Sequence, residues 1–188
     1  MITTVLEFTV GFLLFISALT LFLVLRLATR VATLEASIPA AGPEIGTVLP
    51  TFEGRRNSDG ALVTSDDLAG KNTVLVFMSS GCPQCVAKRP DLLAMLPGMK
   101  RSGVTFWIVS ADDRHGVSAV VGDSALETHV LHLEADGRRR LNPNNLIPSY
   151  IFIDEQGVVR DHSHMEDENW VDFVRQMKAD ASGTVEAG

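Results

Sequence analysis

Thr73-Val74-Leu75-Val76-Phe77-Met78, then Ser79-Ser80-Gly81, then Cys82-Pro83-Gln84-Cys85, joins an apolar, β-branched run to the only two cysteines of the 188-residue chain. The run reads as a strand buried on both faces. Ser79-Ser80-Gly81 reads as a tight turn, and the segment from Gln84 to Met95 as a helix that Pro90 kinks. A Cys-x-x-Cys pair opening a helix after a strand is the layout of a dithiol redox site. The unpaired N–H groups and dipole at a helix start favour negative charge, so the Cys82 thiol there loses its proton more readily. Cys85, one turn on, is placed to attack a mixed disulfide formed at Cys82.

Two other readings compete. A structural disulfide across two intervening residues closes so small a loop that it removes little unfolded-chain entropy. Half of a zinc site needs two further Cys or His ligands at suitable spacing. His115, His129, His132, His162 and His164 do not supply that spacing, so no metal site is expected. His129 and His132, three apart, would face opposite sides of one strand. His162 and His164 fall past a hairpin.

Composition narrows the field further. The net charge is −7 and charged residues make up 21% of the chain. There is no basic stripe of the kind nucleic acid requires. Arg138-Arg139-Arg140 reads as a solvated loop beside Gly137. At the amino end, Phe8 to Leu25 carries no charge and is long enough to cross a bilayer. Glu7 and the lack of a basic start argue for an uncleaved anchor rather than a signal peptide. Leu27, Val31, Leu34 and Ile38 continue a helical stripe as a short stalk. The expected organisation is an anchor and stalk over 1–38, a linker over 39–44, an α/β domain over 45–180 and a disordered tail over 181–188. The only flanking basic residues, Arg26 and Arg30, follow the span and by themselves would hold the domain in the cytoplasm.

Within the domain, Thr51–Arg55, Ala61–Thr64, Val104–Val109, Val130–Leu133, Tyr150–Ile153 and Val158–Arg160 read as extended. Ser65 with Asp66 and Asp67 caps a short turn around Leu68, and Gly116 to Val121 reads as a short helix. Trp107 is placed in the core. Trp170, Phe173, Val174 and Met177 recur at the spacing of an amphipathic last helix.

Ile45-Gly46-Thr47-Val48-Leu49-Pro50-Thr51-Phe52, Asp59-Gly60, Leu68-Ala69-Gly70-Lys71, Val74–Met78, Cys82-Pro83-Gln84-Cys85, Pro90, Pro148 and Ile153-Asp154-Glu155-Gln156-Gly157 together resemble the TlpA-like thioredoxin group. Within that group the layout is most similar to the MauD-type membrane-anchored accessory proteins of methylamine utilisation. The resemblance implies an α/β thioredoxin-like fold, a central mixed sheet flanked by helices, behind one transmembrane helix. It implies a thiol–disulfide oxidoreductase that needs no cofactor, with Cys82 the nucleophile and Cys85 the resolving thiol. Pro83 and Gln84 would shape the helix start. Pro148 would be a cis-proline opposite the dithiol, with Ile147 before it offering backbone groups to an incoming client chain. The same resemblance implies an extracytoplasmic domain, client proteins bearing thiols or disulfides, and a membrane electron carrier. It outweighs the two basic residues in setting the expected topology. Two positions depart from the pattern. Ser79-Ser80-Gly81 stands where many members carry Trp, and Lys88 stands where many carry a proton-accepting glutamate. A docking factor with incidental thiols, and a peroxidase using Ser79 three residues before Cys82, are the remaining alternatives.

Overall fold

The computed structural model describes residues 2–35, 42–110, 112–122 and 124–182, in two compact units divided at 39/40. The first is one helix, α1 (Ile2–Glu35). Its stretch Gly11–Arg30 has a mean hydropathy of 2.3 and no burial within the chain, which by length and composition fits a single membrane span. Residues 39–41 of the expected linker, the end of the stalk and the tail from 183 lie outside the described residues.

The second unit is built on a sheet that, among the described residues, has seven strands. These are β1 (Glu53–Arg56), β2 (Leu62–Thr64), β3 (Thr73–Met78), β4 (Thr105–Ser110), β5 (Val130–Leu133), β6 (Ser149–Ile153) and β7 (Val159–His164), in the order β2-β1-β5-β4-β3-β6-β7. β3 runs parallel to β4, and β4 to β5; the other pairings are antiparallel. The helices are α2 (Pro83–Ala87), α3 (Arg89–Arg101), α4 (Arg114–Val121), α5 (Ala135–Leu141) and α6 (Glu168–Ser182). This is the thioredoxin-like α/β architecture.

The period-2 side-chain alternation of β3 explains both faces. Val74, Val76 and Met78 enter one core with Leu92, Met95, Met99, Val117 and Trp170, from α3, α4 and α6. Leu75 and Phe77 enter the other, with Leu49, Phe52, Val109 and Leu141. All six residues of β3 are buried, as its unbroken apolar composition requires. Trp170 anchors α6 by stacking on Tyr150 and Phe152, with ring centroids 5.2 and 6.2 Å apart.

Several local expectations are corrected. The helix after the cysteines is two helices, and the second runs past Pro97 to Arg101. The break falls at Lys88, which ends α2 and precedes α3. Pro90 has no N–H to donate back to Val86, and it is tolerated in the first turn of a fresh helix. Arg138–Arg140 are helical, within α5. The 3-10 turn at Ser65–Leu68 is capped by Thr64, not Ser65. The Asp67 carboxylate accepts from the Thr64 N–H (2.7 Å) and hydroxyl (2.9 Å). His129 ends a 3-10 turn and so does not share a strand with His132, while His162 and His164 lie on β7. Ala181 and Ser182 still belong to α6.

Candidate functional site

The C-terminal ends of β3 and β4 and the start of β6 meet at one end of the sheet. In the register Phe77 faces Ser149 on β6, and Met78 faces Ser110 on β4. One step further along each strand lie the turn that carries Cys82, the Pro148 position, and Asp112. The fold therefore gathers three segments that are far apart in sequence.

Cys82 is the N-cap of α2, with extended backbone (φ −110°, ψ 103°), and Pro83 occupies the first helical turn. Proline costs nothing there, because its missing N–H would have no partner in the helix. The Cys82 sulfur accepts a hydrogen bond from the Cys85 N–H at 3.1 Å. A donor aimed at sulfur stabilises thiolate over thiol, as the helix start does through its dipole. Cys82 and Cys85 are disulfide-bonded, with Cα atoms 5.3 Å apart. Their exposures differ: Cys82 is half-buried, Cys85 is 0% exposed, and Pro83 and Gln84 are exposed around them. Cys82 thus offers surface to solvent, and Cys85 does not.

Ile147–Pro148 is a cis peptide bond. Ile147 is half-buried and packs with Cys82 against the same core, while Pro148 is buried. The loop before it is held by Asn142, only 3% exposed, whose side chain donates to the Leu146 carbonyl (2.8 Å) and accepts from the Leu146 N–H (2.9 Å). The Ser149 hydroxyl donates to the same carbonyl at 2.6 Å. Met165 N–H donates to the Pro148 carbonyl, tying the loop to the chain entering α6.

Asp112 was not singled out from sequence, yet it is the carboxylate nearest in register to the cysteine turn. Its Oδ2 accepts from the Ser80 N–H at 2.6 Å and from the Ser110 hydroxyl at 3.1 Å. Gly116 lets this pairing close, since a Cβ there would lie 2.6 Å from Asp112 Cβ and 3.2 Å from Ser80 Oγ. The sequence signal was the Asp112-Asp113 pair at a strand end, of which Asp113 caps α4 by accepting from the Gly116 N–H. Asn142 likewise sat unnoticed in Asn142-Pro143-Asn144-Asn145, which reads only as a turn.

Lys88 is half-buried at the α2–α3 joint. Arg89 beside it donates to the carbonyls of Val120 (2.9 Å) and Ala119 (2.6 Å), capping the C-terminus of α4 and fixing α3 against it. Among the described residues, no group of three or more His, Cys, Asp or Glu side chains is arranged to hold a metal ion.

The Redoxin family profile matches residues 44–179. No curated protein sequence matches the chain. Among solved structures, a thiol:disulfide interchange protein of the thioredoxin family from Chlorobium tepidum is 23% identical, with a TM-score of 0.59, covering 74% of this chain and 99% of its own. The thioredoxin domain of a thiol-disulfide oxidoreductase from Bacteroides vulgatus is 23% identical, with a TM-score of 0.58, covering 71% and 97%. A thiol:disulfide interchange protein from Bacteroides sp. is 22% identical, with a TM-score of 0.58, covering 76% and 93%. At these identities the likeness is one of fold.

Proposed function

From the premise that the chain belongs to the Redoxin family, and is a thioredoxin-like oxidoreductase, we propose that Cys82 and Cys85 exchange disulfides with client proteins and that α1 anchors the domain to a membrane. The observation that carries the reading is the asymmetry of the pair. A reachable sulfur takes an N–H hydrogen bond at a helix start, and a fully buried sulfur sits one turn behind it.

In the reducing direction the Cys82 thiolate attacks one sulfur of a client disulfide. A Cys82–client bond forms, the client S–S bond breaks, and the other client sulfur leaves as thiolate. Cys85, losing its proton, then attacks the Cys82 sulfur. The Cys82–Cys85 bond forms, the mixed disulfide breaks, and the client is released with both sulfurs reduced and the protein oxidised by two electrons. The reverse sequence oxidises a client. Ile147 and Pro148, beside Cys82 at the sheet end, would line the client's path. A membrane electron carrier would reset the pair, with the domain outside the cytoplasm; the similarity to TlpA-like and MauD-type proteins supports that placement.

Two substitutions test the chemistry in the full-length protein in cells. Cys82→Ser should abolish exchange, whereas Cys85→Ser should accumulate reductant-sensitive mixed disulfides with clients on non-reducing gels. Trapping by Cys82→Ser instead would reverse the roles. No effect of either substitution would leave a docking factor as the better account. A reporter fused after Ala181 tests sidedness separately, and activity only in the cytoplasm would overturn the proposed topology.

A further inference from the structure

A cleft lies at the other end of the same strands. β3 and β4 are parallel and in register from Thr73↔Thr105 to Met78↔Ser110. The dithiol follows Met78, so the first residues of β4 stand at the opposite end of the sheet. There the pairing of β4 with β5 begins only at Ile108. The edge beside Thr105–Trp107 is flanked instead by the 3-10 turn Ala125–His129 and the end of β1. A cleft of about 800 Å³ opens at this gap, within the size range of small-molecule sites.

Its chemistry is one-sided. Leu96, Phe106 and Trp107 give it apolar walls, Arg56 and Lys100 bring positive charge, and no carboxylate lines it, although the chain as a whole carries −7. The Arg56 guanidinium lies over the Trp107 indole, 5.6 Å from the ring centroid. One of its terminal nitrogens donates to Asp59 at 3.2 Å. Two donors here are shut off from water with no acceptor among the described residues: Arg56 Nε and Trp107 Nε1. A buried donor without an acceptor is destabilising, and these two belong to side chains in contact with one another. His129 is already engaged, its Nδ1 lying 3.1 Å from the Phe106 carbonyl, which can only accept.

We propose that this cleft binds a small organic carboxylate with an apolar body. The carboxylate would draw the half-exposed Arg56 guanidinium towards it and accept from Arg56 and from the indole N–H. Lys100, exposed at the rim, would add long-range attraction. The apolar body would lie along Leu96 and Phe106. A carboxylate suits the site because it offers only acceptors, and the two side-chain atoms left without a partner there are both donors.

The test uses the full-length chain in detergent micelles with ¹⁵N-labelled tryptophan. The chain has two tryptophans, and Trp107→Phe identifies the Trp107 indole resonance by its loss. Phenylacetate is titrated, with phenylacetamide as the uncharged probe of the same shape. The Trp107 indole N–H should shift saturably with phenylacetate, with a Kd of about 1 mM, which corresponds to roughly 4 kcal/mol. The Trp170 resonance, from the core, should stay in place. Phenylacetamide should bind about 10-fold more weakly. Arg56→Gln and Lys100→Gln should each weaken phenylacetate, about 10-fold and about 3-fold, and leave phenylacetamide unchanged. The absence of a saturable shift overturns the proposal, as does equal binding of the two probes. Should Arg56→Gln disturb the fold, seen as a displaced Trp170 resonance, Lys100→Gln at the exposed rim decides, and no loss of phenylacetate affinity there overturns the proposal.

Discussion

Gly98→Ala separates helix propensity from helix packing within one substitution. Gly98 is buried in α3 where α6 crosses it. A Cβ added there would lie 2.8 Å from the Met177 carbonyl carbon, 3.1 Å from its Cα, and closer still to its oxygen. Carbon atoms in contact sit about 3.5–4.0 Å apart, so α3 and α6 must part by about 1 Å. The obstacle is backbone, so no side-chain rotation relieves it. A gap of about that size forfeits a quarter to a half of each dispersion contact across the seam. That seam holds Met95 and Met99 against Trp170 and Met177, all in one core. Because the obstacle is backbone, the cost lies at the top of the range for overpacking, about 3 kcal/mol, and exchanging Gly for Ala in a helix interior returns about 1 kcal/mol. The expected net loss is about 2 kcal/mol, or roughly 6–10 °C in Tm for a domain of this size. Gly103→Ala is the comparison: that residue has φ +70° and nothing near its would-be Cβ, so it should lose only about 1 kcal/mol to backbone strain. Thermal unfolding by circular dichroism measures both. An unchanged or raised Tm for Gly98→Ala would refute the close approach of α3 and α6.

Other expectations concern single side chains. Tyr150 is the chain's one tyrosine, fully buried, with its hydroxyl 2.7 Å from both Asp161 and Asp167. Burial first, and then its bonds to Asp167 and Asp161, push the phenol far above its ordinary value of 10.0. A raised folded value means its contribution to stability is complete below the ordinary value and is lost above it, at about 1.4 kcal/mol per pH unit. Phenolate absorbance near 295 nm should therefore rise only together with unfolding, and phenolate in a still-folded protein would contradict this. Asp154, held below the usual carboxylate range mainly by the Val158 N–H, with Arg160 also contributing, works in the opposite direction. Its contribution is full above pH 3.8 and fades as pH falls further, so Asp154→Asn and the parent should converge in Tm in acid; a constant gap would argue against it. Asp112→Ala should slow exchange by about 10-fold by freeing the Ser80 turn, while Asp112→Asn, which keeps an acceptor, should retain most of the rate. Equal rates for parent and alanine variant, read by oxidation of dithiothreitol, would remove Asp112 from the site.

The strands and the dithiol were legible because their signals are local. A six-residue, β-branched apolar run ending at a turn reads as a strand buried on both sides, and a cysteine pair before a helix announces itself by spacing. What was not legible depended on partners distant in sequence. Asp112 acquires meaning only when β4 is laid beside β3 in register, and Asn142 only when its loop folds back on Leu146. Arg138–Arg140 read as loop because Gly137 is a poor helix former; Gly137 is buried against Phe52, and that packing overrides propensity. Trp107 was placed in the core by its strand's pattern, yet it is half-exposed and lines a cleft, since β5 is too short to cover the first half of β4.

The joint at Lys88 gives the redox turn a mechanical independence. α2 is five residues long and α3 begins afresh at Arg89, fastened to the end of α4 by the Arg89 guanidinium and to α6 along its length. Making or breaking the bond between the two sulfurs changes the distance they must keep. In one continuous helix that change would be levered along the axis into the α3–α6 seam, where Gly98 leaves no slack. With the ladder interrupted at Pro90, a change in the spacing of the two sulfurs has no continuous helical axis along which to reach that seam.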